Sequence, residues 1–108
     1  MPASFQEFFD QLKANIDPKK TAGMNATFQF VATGDAPGEY YVKIANGETE
    51  VCAGKAEKPT IVLTASSVDW AAIMNKQMNG QTAFLTGKLK IQGDVTLAMK
   101  LESLFNLG

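Results

Sequence analysis

The sequence contains no histidine and no arginine, only one cysteine, and no apolar run approaching the ~18 residues of a membrane span. Without histidine there is no Ser-His-Asp or Cys-His nucleophile pair, no imidazole proton shuttle and no zinc site of the usual kind. Without arginine there are no guanidinium forks to read guanine or grip phosphate. Ten lysines against eleven carboxylates leave a net charge of −1, so the basic stripe of a nucleic-acid binder is missing as well. Cys52 alone excludes an internal disulfide or a cysteine-only metal site. It has no basic neighbour in sequence to lower its pKa and reads as a buried structural residue. Glu7 and Asp10 interrupt the first apolar run, and no basic segment precedes it, which is not the pattern of a signal peptide. The expectation is a soluble, cytoplasmic protein without a transmembrane segment.

The remaining routes to chemistry are thin. Carboxylates are scattered singly, except that Glu48 and Glu50 share one strand face as a solvated edge. Gly87-Lys88 resembles the end of a phosphate loop, but that loop needs a glycine where this chain has Thr82 and a hydroxyl residue where it has Leu89. No catalytic residue, metal ligand or cofactor is therefore expected.

What is present is a strong alternation of periods. Phe5, Phe8, Phe9, Leu12 and Ile16 recur every three or four residues as one helical stripe, with Ser4 and Glu7 as a capping box and Asp17-Pro18 as the stop. From Thr27 the period becomes two. Phe28 and Phe30, then Tyr40, Val42 and Ile44, then Thr49, Val51 and Ala53, then Ile61 and Leu63 mark four strands, with Asn46-Gly47 as a two-residue hairpin turn. Their short connections read as a four-stranded antiparallel meander. Ser66 and Ser67 open a helix bearing Trp70, Ala71, Ile73 and Met74, which Asn79-Gly80 breaks. A short helix from Gln81 to Thr86 ends at Gly87. Leu89 and Ile91 form a fifth strand, and Gly93-Asp94 starts a last helix. Residues 1–108 are thus one α+β domain, with a five-stranded, mostly antiparallel sheet covered by helices on one side.

The segment from Asp69 onward is specific. Asp69-Trp70, Met78-Asn79-Gly80-Gln81-Thr82-Ala83-Phe84-Leu85, Gly87-Lys88-Leu89-Lys90-Ile91-Gln92-Gly93-Asp94 and Leu97-Ala98-Met99-Lys100-Leu101 follow one another without insertion. In this order they resemble the C-terminal half of the sterol carrier (nonspecific lipid-transfer) family. The resemblance implies a hydrophobic tunnel between sheet and helices for fatty acids, fatty acyl-CoA or sterol-like lipids, and a carrier that catalyses nothing. Two features depart from animal and peroxisomal members. Gly80 stands where a proline is common, and the chain ends Asn106-Leu107-Gly108 rather than in a small-basic-leucine tripeptide. Both point to a free-standing cytoplasmic version.

On that basis the tunnel wall is expected from Phe9, Phe28 and Phe30, from Trp70, Ile73, Met74 and Met78, and from Phe84 with Leu85. Leu97, Leu101, Leu104 and Phe105 would form a lid. Taken one at a time, each of these also fits ordinary core packing. Lys19, Lys20 and Thr21 are the candidates for a lipid headgroup, with solvated loop lysines as the alternative. The partners expected are a long-chain lipid, transient contact with a membrane surface through the lysine-richer second half, and an acyl-CoA enzyme if the domain presents substrate rather than carrying it.

Overall fold

A computed structural model describes residues 5–105, apart from the side chains of Lys13, Asn15, Leu101, Glu102 and Phe105. The Ser4 half of the capping box lies outside the described residues. Helix α1 runs Phe5–Asn15 and buries Phe5, Phe9 and Leu12, the stripe its spacing anticipates. Asp17-Pro18 both stops and restarts the chain. The Asp17 carboxylate accepts the Lys19 backbone N–H at 2.9 Å and Pro18 occupies the first turn, so a four-residue helix α2, Pro18–Thr21, follows immediately.

Strands β1 (Ala26–Thr33), β2 (Gly38–Ala45) and β3 (Glu48–Ala53) form an antiparallel meander. Asn46 and Gly47 join β2 to β3 with φ of 52° and 82°, the pair of positive values that a type I′ hairpin turn requires. Strand β4 (Ile61–Ser66) does not extend the meander. It crosses back to lie parallel to β1, and β5 (Lys90–Gly93) pairs antiparallel on its far side, giving the order β3-β2-β1-β4-β5. The expected four-strand meander is therefore corrected to three strands plus a crossover, while three of the four pairings remain antiparallel.

The physical reason lies in Gln29, the one polar residue in the middle of β1 that is almost fully buried, at 2% exposure. It points away from Phe28 and Phe30, toward the start of the β3–β4 connection. Its Nε2 donates to the carbonyls of Gly54 (3.0 Å) and Tyr40 (3.2 Å), and its Oε1 accepts the Ala56 N–H at 2.7 Å. Thr27 and Thr60 exchange a further pair of bonds at 2.9 and 3.0 Å. The connection is thereby tied across the outer face of the sheet and delivers Ile61 beside Phe28. Period-two patterning assigns a strand its faces but not its neighbour.

The other face carries the helices. Helix α3 (Ser67–Met74) starts at Ser66, whose hydroxyl accepts the Asp69 N–H at 3.1 Å, and α4 (Gly80–Leu85) starts at Asn79, whose carboxamide caps Gln81 and Thr82. Helix α5 spans Val95–Phe105. Phe9 stacks on Tyr40 with centroids 4.8 Å apart and meets Phe30 at 4.9 Å, and Phe30 meets Trp70 at 5.6 Å. Each such pair adds roughly 0.5–1.5 kcal/mol beyond the area it buries. Trp70 is wholly enclosed and its indole N–H donates to the Val31 carbonyl at 2.8 Å, which fixes α3 onto the central strand.

Cys52 departs from expectation. It is half-buried on the outer face, opposite Tyr41, with its thiol 3.4 Å from the Glu50 carboxylate. A hydrogen bond between the Tyr41 hydroxyl and the Cys52 side chain, ahead of the neighbouring charges, holds the Tyr41 hydroxyl above the ordinary phenol range.

Two substitutions test this frame by chemical denaturation. Gln29→Leu strands the Ala56 N–H and two carbonyls, and should remove about 1–3 kcal/mol of stability. At Gly93, φ is 104° and an added Cβ would meet the Thr60 carbonyl oxygen at 2.5 Å. Gly93→Ala should therefore cost at least about 1–3 kcal/mol and loosen β5 from β4. Wild-type midpoints for both variants would show that neither contact holds the sheet.

Candidate functional site

Helices α1 and α3 pack on the rest of the sheet, where Phe9, Phe28, Phe30, Trp70 and Ile73 are all at most 2% exposed. At the β5 end the covering is incomplete. Helix α4 is only six residues long, and α5 carries more apolar positions than one stripe uses. Leu97 and Leu104, seven residues apart, face the core and Ala98 packs against its edge, whereas Val95 and Met99 stay exposed and with Ala98 form a second apolar face on the same helix. Between that second face and α4 lies an apolar pocket of about 330 Å³. Phe84 and Leu85 form one wall and Leu89 and Ile91 the floor, with Gly80 and Gln81 at the start of α4.

The pocket opens to solvent. Met99 is 83% exposed and Leu85 74%, and Phe84 and Val95 are also exposed. Large apolar side chains gathered around a hollow are unlike the scattered single ones of an ordinary surface. The floor is held by backbone geometry, since the N–H groups of Lys88 and Leu89 both donate to the Ala83 carbonyl, at 2.8 and 3.0 Å. The α5 wall is held by Asp94. Its carboxylate accepts from the backbone N–H and the hydroxyl of Thr96, and the hydroxyl is the main reason its pKa lies below the usual carboxylate value. Gln81 supplies the polar side chain of the lining. Among the described residues no buried side-chain polar atom lacks a partner, and no cluster of three or more acidic or cysteine side chains could hold a metal ion.

Of the residues named from sequence, Phe84 and Leu85 line this pocket. Phe9, Phe28, Phe30, Trp70, Ile73 and Met74 are buried in the core, and Met78 and Leu97 pack against it, half-buried. Leu104 is buried near the end of α5, and the side chains of Leu101 and Phe105 lie outside those described. Lys19, Lys20 and Thr21 sit elsewhere, on α2. The Lys20 ammonium donates to the Ser103 carbonyl at 3.2 Å, near the C-terminal end of α5, where a cation is favoured. Thr21 is fully buried, with its hydroxyl 2.8 Å from the Gly47 carbonyl it donates to. Sequence reasoning passed over Gln81, Leu89, Ile91, Val95, Ala98 and Met99 as wall residues. The signal for three of them was present: positions 95, 98 and 99 fall on one helical face that is distinct from 97, 101 and 104.

A second hollow, of about 560 Å³, lies on the outer face between Tyr41, Lys43, Glu50 and the Lys55–Lys58 loop. Its charges are of both signs and its surface is mainly polar. No helix of the described residues is long and apolar enough to cross a membrane.

Comparison with known proteins bears on the family and the fold. The pattern of the SCP-2 sterol transfer family matches residues 5–106. Over 100 residues, 92% of this chain, the sequence is 31% identical to hydroxysteroid dehydrogenase-like protein 2 of Xenopus tropicalis, covering 24% of that protein. Over 86 residues, 80% of this chain, it is 36% identical to sterol carrier protein 2 of Homo sapiens, covering 16% of it. The chain thus spans a quarter or less of these relatives' length. The solution structure of palmitated SCP2L2 from Aedes aegypti superposes with a TM-score of 0.75 at 22% identity over 95% of each chain, which shows a common fold. Matched along nearly all of its length, and carrying the same five-stranded sheet with its helices, the chain belongs to the SCP-2 sterol transfer family.

Proposed function

We propose that the protein binds the hydrocarbon part of a lipid in the pocket between α4, β5 and α5, and carries it without chemical change. The observation that carries this reading is the pocket's apolar wall on α5, where Val95 and Met99 stay exposed beside the hollow instead of packing into the core. The ligand class favoured is a long-chain fatty acid, its CoA ester or a sterol-like lipid. The family's name, and the palmitated relative of the same fold, support that choice.

The energetics are consistent with reversible carriage. Burying a chain of about sixteen carbons yields on the order of 12 kcal/mol at ~0.8 kcal/mol per methylene. If association and chain ordering cost about 4 kcal/mol, the low end of the usual range, about 8 kcal/mol remains, equivalent to micromolar affinity. Selectivity between chains differing by one methylene would be only ~1–3 kcal/mol. A pocket of about 330 Å³ lies near the lower end of the ~300–1,000 Å³ typical of ligand sites, so a full-length chain requires α4 and α5 to part. Asp94 then keeps α5 helical as it moves.

A second reading follows from the match to a quarter of a dehydrogenase-like protein: the domain presents lipid substrate to an attached or docked enzyme. Both readings require a lipid site. A pure protein-docking module does not.

Delipidated protein titrated with a fluorescent fatty acid should saturate at one site per chain. Val95→Trp, which fills the pocket from its rim, should weaken binding about tenfold or more while leaving the unfolding midpoint near wild type. Phe30→Ala, in the solid core, should cost about 3–5 kcal/mol of stability, yet at a temperature where it remains folded it should keep the one-site stoichiometry. Absence of saturable binding by the wild-type chain would end the proposal.

The Asp94 carboxylate predicts a pH effect. Its folded pKa is depressed, so its contribution is complete above the unfolded value of about 3.9 and is lost as pH falls through the lower folded value. The protection of first-turn α5 amides relative to their intrinsic exchange rates should fall over that acidic window, and Asp94→Asn, which caps without a charge, should show no such titration.

A further inference from the structure

One atom in the wall of the pocket is chemically unlike its neighbours. The chain has five methionines, of which Met1 lies outside the described residues. Met74 is buried, and Met24 and Met78 are half-buried against the core. Met99 alone among the described four is open to solvent, at 83% exposure, and it lies beside Ala98 in the α5 wall. Apart from the amide of Gln81, the other side chains lining the pocket are hydrocarbon, so the Met99 thioether is the one oxidisable group there.

We propose that Met99 is an oxidation site through which hydroperoxides control the pocket: the empty protein is converted to the Met99 sulfoxide, and the sulfoxide binds lipid poorly. A sulfur lone pair attacks one peroxide oxygen, and the S–O bond forms as the O–O bond breaks. The other oxygen leaves as hydroxide and takes the proton from the new sulfoxide oxygen, giving water. Sulfur is oxidised by two electrons and the peroxide reduced by two. A thioether is apolar and flexible, suited to lying along an acyl chain, whereas its sulfoxide is polar and hydrated. Hydrocarbon laid along α5 displaces that water without replacing its hydrogen bonds, so affinity falls about tenfold. Cover works in the other direction too. A lipid resting against Met99 shields the sulfur, so the loaded protein resists peroxide and the empty one is shut. Methionine sulfoxide is reducible enzymatically, which makes the change a switch. The inference rests on the lipid-binding reading of the same pocket, and its test separates the two.

The test is brief treatment of the delipidated wild-type chain with dilute hydrogen peroxide, followed by a thiol reductant to restore Cys52. Peptide mass mapping then locates the added oxygen, and titration with a fluorescent fatty acid reads the affinity. Met99 should oxidise at least about tenfold faster than Met24, Met74 or Met78. Binding should weaken about tenfold in step with it, with an unchanged unfolding midpoint. Prior loading with unlabelled fatty acid should slow oxidation at Met99 and not at Met24. Methionine sulfoxide reductases of both epimer specificities, added together, should restore affinity. Met99→Leu, whatever its own starting affinity, should bind equally before and after peroxide.

The proposal fails if another described methionine oxidises first, or if Met99 sulfoxide binds fatty acid as tightly as the untreated chain. It fails equally if bound lipid gives Met99 no protection, or if Met99→Leu loses as much affinity to peroxide as the wild type. Each of these outcomes leaves the lipid site standing. Absence of saturable binding before any peroxide is added would instead bring down the lipid reading and the switch together.

Discussion

A five-stranded sheet with one apolar face must be covered, and the described helices do not cover it tightly from edge to edge. Helices α1 and α3 close over β2, β1 and β4 with rings that touch one another, and Trp70 anchors the layer to the central strand. The β5 end is left to a six-residue helix and to α5. Because α5 turns Leu97 and Leu104 inward, its other apolar side faces α4 across a gap instead of meeting a packed neighbour. The pocket follows from that geometry. Apolar side chains that the core does not absorb line an open hollow instead.

The two halves of the molecule therefore differ in kind. The aromatic half is rigid for the reason that cores are: removing any ring leaves a cavity its neighbours fill only in part. The α4–β5–α5 half is held by backbone devices at its edges. These are the Ala83 carbonyl that collects two N–H groups, the Gly93 approach to Thr60, the Asp94 cap and the Lys20 contact with Ser103 at the far end of α5. Such attachments fix where the helices start and stop while leaving their facing surfaces free to separate. A uniformly packed domain would have no such hollow, and a uniformly loose one would not fold.

Gln29 shows how a single buried polar residue can decide topology. In an alternating strand it reads as one of the solvent-facing positions. In the folded chain its amide meets partners on both sides of the β3–β4 connection, and leaving those groups unpaired would cost more than the residue's own burial. The crossover it secures puts β4 next to β1, which in turn carries β5 and the pocket to the edge of the sheet farthest from β3.

Local chemistry was enough to define the elements other than the four-residue α2, where Asp17-Pro18 reads only as a stop. Helical spacing of phenylalanines, period-two strands, Asn46-Gly47, Ser66 and Gly87 act within a few residues of themselves, and the ordered motifs from Asp69 to Leu101 were enough to suggest the family. The lack of histidine and arginine narrowed the chemistry in the same way. Which strand lies beside which, and which apolar residues fill the core rather than line a hollow, could not be read locally. Phe30 and Phe84 are the same residue type on similarly apolar elements, yet Phe30 is enclosed by Phe9 and Trp70, whereas Phe84 faces open space across from α5. Burial is a property of what arrives from elsewhere in the chain, so only the assembled fold separates a packed side chain from one left facing an open hollow.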